Sequence, residues 1–204
     1  MEKRRVAEVA LIAGGALLAW FASQQDGGGV YAPVDLDPSD GSLGLPGAVG
    51  GGGVSDGYLS ALSLAEDPSQ DPYAKNPYST ASGLYQFTKA TWTSLGGDWG
   101  DDPTQAFGGL TPSVAEQTAM AQKLTSQNSN ILTRLGAAVD NATLYTMHIF
   151  GAGTGPKVVA ATAGADPSTP LASLPGVGSK ITAINPALGS TVGSFLSYLA
   201  NKVG

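Results

Sequence analysis

A chain of 204 residues, 42% hydrophobic and 13% charged, is long enough for one domain with its own core plus appendages. A net charge of −6 leaves no basic surface to hold nucleic acid. With no cysteine and a single histidine there is neither a disulfide framework nor the ligand set of a zinc hydrolase, and no metal or other cofactor is expected.

In chain order, Lys3-Arg4-Arg5 precede an apolar run from Val6 to Ala22 that only Glu8 interrupts. At about 1.5 Å per helical residue this run reaches roughly 25 Å, the short end of what crosses a bilayer. A cleaved signal peptide is the rival reading, but the run is long for one, and Trp20 and Phe21 spoil the small-residue cleavage pattern near Ala22. Residues 1–23 are therefore read as an uncleaved single-pass anchor, its basic end cytoplasmic and everything beyond Ala22 on the far side. Residues 24–55, with Gly27-Gly28-Gly29 and Gly50-Gly51-Gly52-Gly53, bury too little to offset their ordering entropy and read as a flexible tether.

Helical signals follow one another from there. Asp56 can cap a helix through Glu66 with Leu59 and Leu62 inward, and Thr88 can cap another that stops at Gly96-Gly97. Pro112 and the Ser113-x-x-Glu116 capping box open a helix to about Ser126, and a short one from Asn130 to Leu135 ends at Gly136. A helix from Ala142 to Phe150 stops at Gly151, and Pro156 restarts one that ends near Gly164. After a loop from Gly176 to Pro186, the residues Leu188, Val192, Phe195, Leu196, Leu199 and Val203 fall on one helical face. No stretch alternates as a strand would, so the expected fold is mainly α.

The stretch from Glu66 to Trp92 carries the chemistry. A carboxyl packed against apolar neighbours at a helix end prefers its neutral form and can hand a proton to a leaving oxygen; the plainer reading of Glu66 is a solvated helix end. Tyr85, Phe87 and Trp92 offer flat faces for a sugar, or simply pack in the core, while Ser82 and Gln86 offer hydrogen bonds. Asp67 and Asp71 are the only nearby carboxylates that could partner Glu66, and both read as loop residues.

Glu66, then Asn76-Pro77, Ser82-Gly83-Leu84-Tyr85-Gln86 and Thr91-Trp92, followed by Leu144-Tyr145-x-x-His148-x-x-Gly151-Ala152-Gly153, resemble the lytic transglycosylases of the lysozyme superfamily in the form found in bacteriophage particles. The resemblance covers roughly residues 56–164. It implies a lysozyme-like catalytic domain at 56–165, with 166–204 a C-terminal extension carrying an amphipathic helix. It also implies peptidoglycan glycan strands as substrate, other virion proteins as partners, and Glu66 as the single general acid and base, with Ser82, Tyr85, Gln86 and Tyr145 orienting the sugar. His148 reads as a packed histidine. Two positions depart from the family pattern: Asp67 stands where a serine usually follows the glutamate, and Phe150-Gly151 stand where the cellular enzymes have Tyr-Asn.

Overall fold

The computed structural model describes residues 56–174, 177 and 186–204, and these build a mainly helical domain. The anchor and tether expected over 1–55 lie outside the described residues, and no helix among those described is long and apolar enough to cross a membrane.

Five α-helices carry the fold: α1 (Asp56–Glu66), α2 (Lys89–Ser94), α3 (Val114–Arg134), α4 (Asn141–Thr162) and α5 (Val192–Val203). Their ends follow local chemistry. The Thr88 hydroxyl accepts from the Thr91 N–H to start α2, and the Ser113 hydroxyl accepts from the Glu116 N–H to start α3. Asp140 and Thr143 exchange reciprocal capping bonds at α4, as Thr191 and Ser194 do at α5. α1 opens at Asp56, whose side-chain cap lies outside the described residues.

Two boundaries differ from expectation. The stretch between Ser126 and Asn130 is no break: α3 runs unbroken to Arg134, because Asn128 and Leu132 are buried on the same helix face as Ala121 and Leu124. Weak local propensity yields there to tertiary packing. In α4 the helix is interrupted at Gly151 (φ 68, ψ 171), as expected, but it resumes directly after that glycine rather than at Pro156, which lies inside the second half that runs to Thr162.

α3 packs on α4, α4 on α5, and both α3 and α5 on α1. The C-terminal helix is thus part of the main core: Val192, Phe195, Leu199 and Val203 are buried with Leu59, Leu62, Tyr145 and Phe150. Leu196, expected on the same buried face, is instead 43% exposed.

Between α1 and α2 the chain makes a small hairpin rather than a helix. Ser82 and Phe87 exchange backbone hydrogen bonds at 3.0 Å, and the Asn76 N–H donates to Ala81 O at 2.9 Å. The pairing remains at isolated bridges, Lys75 with Ser82 and Ser82 with Phe87. Gln117, wholly buried on α3, pins this hairpin. Its Oε1 accepts from the Leu84 N–H at 3.0 Å, and its Nε2 donates to Pro72 O and Pro112 O. Gly83 sits under it at φ +75, where a Cβ would lie 2.3 Å from Gln117 Oε1 and 2.6 Å from the Phe107 ring.

Candidate active site

Glu66 ends α1, and its side chain is only 2% exposed. Three elements enclose it. Tyr145 and His148 come from α4 one turn apart, Tyr198 and Lys202 come from α5 at the same kind of spacing, and Tyr58 comes from α1 itself.

The rings are ordered. Tyr198 lies nearly parallel to Tyr145, with centroids 6.4 Å apart and planes at 18°, and Tyr145 lies nearly parallel to His148 at 6.3 Å and 22°. His148 Nε2 then stands 3.6 Å from Glu66 Oε1. Lys202 Nζ donates to the carbonyl of Ala65, the residue before the acid, at 3.3 Å, and lies 6.0 Å from the centroid of the Tyr198 ring.

Burial pushes the Glu66 carboxyl up to about 7, with the Tyr145 hydroxyl and the Lys202 charge opposing the rise. Its place at a helix C-terminus, where the backbone dipole disfavours an anion, acts in the same direction as burial. Burial pushes His148 down to about 4, partly offset by the Tyr85 backbone. The close approach of His148 and Glu66 is therefore no ion pair: near neutral pH the imidazole is uncharged and the carboxyl holds its proton about half the time. The Tyr145 hydroxyl is near enough to act on the carboxyl's charge but stops short of hydrogen-bond geometry, so the contact is electrostatic. Glu66 Oε1, Tyr145 OH and Tyr198 OH are all buried without a hydrogen-bond partner among the described residues. Burial and the Glu66 charge raise the pKa of Tyr58 and Tyr145, and Tyr198 rises to about 12.

Of the residues proposed to orient a sugar, the structure brings only Tyr145 against Glu66. Ser82 is fully buried; its hydroxyl donates to Thr80 O at 2.9 Å and accepts from the Phe107 N–H at 3.1 Å, which makes it a scaffold of the hairpin. Gln86 takes a left-handed backbone (φ 48) and donates its Nε2 to Gly83 O, and the Tyr85 hydroxyl pairs with Thr118 Oγ1 on α3. Phe87 and Trp92 are not sugar faces either. They are buried in a chain of ring contacts through Phe107 to Trp99, with centroids 4.9 to 5.5 Å apart, and Trp92 Nε1 donates to Asp98 O. Core packing won because each ring covers apolar area next to the others. The exposed aromatics among the described residues are Tyr73, on the loop after Glu66, and Tyr78, in the turn between Asn76 and Ala81.

Asp67 is buried but turned to its own loop. Its carboxylate accepts from the Ser69 N–H and hydroxyl and from the Asp71 N–H, and Asp71 in turn accepts from the Tyr73 N–H. No second carboxylate joins the cluster around Glu66 among the described residues, and none of them forms a group that could hold a metal ion. No protein-family model matches the chain, and no curated protein matches it.

Proposed function

We propose that the chain is a lytic transglycosylase of lysozyme-like fold that cuts the glycan of peptidoglycan between N-acetylmuramic acid and N-acetylglucosamine. The observation that carries this reading is a single buried carboxyl, Glu66, balanced near neutral pH with an unpartnered oxygen and no companion carboxylate. Such a group serves as acid and then as base. Glu66 gives its proton to the glycosidic oxygen as the bond from the muramic C1 breaks; the resulting carboxylate then takes the proton of the 6-hydroxyl, whose oxygen bonds to C1. The product is a 1,6-anhydro sugar, no water is consumed, and Glu66 ends protonated as it began. Two-carboxylate hydrolases need a second acid at the scissile bond, and Asp67 and Asp71 are both engaged in organising their loop. Tyr73 and Tyr78 are the rings open to a sugar. The basic segment and apolar run of residues 3–22 anchor the enzyme in a membrane, with the catalytic domain on the extracytoplasmic side, as a virion component that opens the wall locally during genome entry.

A second reading draws on the closure of the site. With Glu66 only 2% exposed and the Ser82 and Tyr85 hydroxyls engaged within the protein, the domain would bind glycan without cutting it or act as a structural virion protein. Turnover of purified murein sacculi separates the two. Glu66→Gln lowers cutting by at least ~10²-fold, the usual weight of a general acid and base, while sacculus binding persists. Asp67→Asn and Asp71→Asn keep most activity, and mass spectrometry finds 1,6-anhydro ends. Hydrated reducing ends with a severe Asp67 or Asp71 defect would move the assignment to a two-carboxylate muramidase.

A further inference from the structure

The C-terminal helix lies outside the stretch that resembles the transglycosylases, yet two of its side chains come within electrostatic range of the acid. Tyr198 and Lys202 sit four residues apart on α5 and so share a face. That face meets Glu66 in two ways. Tyr198 lies nearly parallel to Tyr145 at 6.4 Å, and Tyr145 nearly parallel to His148, whose Nε2 stands 3.6 Å from Glu66 Oε1. Lys202 crosses to α1 and holds the carbonyl of Ala65 at 3.3 Å, fixing the turn from which the Glu66 side chain departs. From this geometry we infer that α5 completes the active site, with Lys202 and Tyr198 as positioning residues for Glu66.

The inference rests on Glu66 as the acid and adds the residues that set its position and its proton. A last-turn carbonyl has no partner within its own helix, so a lysine that donates to it both tethers the helix end and places a positive charge beside the terminal carboxyl. Tyr198 has a different part. A hydroxyl on Tyr145 can help the acid only while its ring is held in place, and the Tyr198 ring, nearly parallel to it at 6.4 Å, is what supports it. The groups that face Glu66 are His148 and Tyr145 from α4, Tyr198 and Lys202 from α5, and Tyr58 from α1. Lys202 is the cation among them near neutral pH, because burial keeps His148 uncharged there.

The test uses full-length protein in detergent, with two readouts on the same samples: the midpoint of the Glu66 carboxyl by carbon-13 NMR, and the pH profile of murein cutting. In the wild type the Glu66 proton is lost as pH rises, so cutting declines on the basic side. Lys202→Met removes a charge that favours the carboxylate; the carboxyl midpoint and the basic limb of the profile both move to higher pH by roughly half a pH unit, the size expected of a partly solvated pair. Lys202→Arg restores both. Tyr198→Ala lowers kcat about tenfold with KM little changed, as expected when an acid is mispositioned, and Tyr198→Phe, which keeps the ring, retains most of the rate. An unchanged carboxyl midpoint in Lys202→Met overturns the inference even if the wild type cuts murein. If the wild type does not cut, the transglycosylase reading fails, and the NMR midpoint still decides whether α5 acts on Glu66.

Discussion

Glu66 titrates far above an ordinary carboxyl, and this links its protonation to stability. A folded-state pKa of about 7 against an ordinary 4.5 means that the folded protein holds this proton more tightly than the unfolded chain. Its stabilising effect is fully present below pH 4.5 and fades as pH rises to 7, a loss of about 3 kcal/mol for a fully buried carboxyl. His148 works the other way: with its folded pKa near 4, its contribution is full above its ordinary 6.5 and fades as pH falls toward 4. The two trends offset each other over most of the range between, so wild-type stability is flatter in pH than either group alone would make it. Glu66→Gln removes only the carboxyl's part. Thermal unfolding of wild type and Glu66→Gln at pH 5 and pH 8 should therefore show the variant gaining on the wild type as pH rises. A melting difference that stays constant with pH would mean that Glu66 titrates at its ordinary value. A buried carboxyl at the end of an apolar helix was one of the two readings the sequence offered for Glu66, and its burial bears that one out. Lys202 was not legible, since it reaches Ala65 across 137 positions and no local pattern marks a lysine that turns inward.

At the scale of elements, the sequence was most informative where one or two residues decide an end. Thr88, Ser113 and Gly136 lie where their chemistry places them, and the bend at Gly151 follows its glycine. Where burial decides, local signals fell short. The Ser- and Asn-rich middle of α3 reads as a break, yet Asn128 and Leu132 are inside; of the two readings open for the Phe87 and Trp92 rings, a sugar face or the core, burial selects the core. The hairpin falls in the stretch from Glu66 to Trp92 that the sequence singles out, but Gln117, which pins it, was not legible, because a glutamine in a helix carries no sign that it will be buried. Gly83 tests that pinning against a control. Both Gly83 (φ +75) and Gly136 (φ +66) are left-handed, and a Cβ at Gly136 would meet nothing within 4 Å. Gly136→Ala should cost about 1 kcal/mol for the backbone alone. Gly83→Ala must also displace Gln117 Oε1 and the Phe107 ring, and should cost roughly 1–3 kcal/mol more. Equal losses in denaturant unfolding would show that Gln117 does not hold the turn.

Across the whole molecule, the catalytic resemblance ends near residue 164 but the cooperative structure does not. α5 buries Val192, Phe195, Leu199 and Val203 almost completely, against a core that includes Leu59, Leu62 and Phe150. Asn141 at the start of α4 donates its side-chain amide to Val203 O at 2.7 Å, tying the last turn of the chain to the helix that carries Tyr145 and His148. Each large apolar side chain withdrawn from water contributes roughly 1.5–3 kcal/mol, so the four on α5 together rival the whole net stability of an ordinary domain, about 5–15 kcal/mol. Removing α5 should therefore abolish cooperative folding, not merely trim an appendage. A fragment of residues 56–204 is expected to unfold in one sharp transition with helical circular dichroism, and a fragment of residues 56–189 to show weak helicity and no transition. A stable, cooperatively unfolding 56–189 fragment would instead place the domain boundary before α5 and leave that helix as a docked extension.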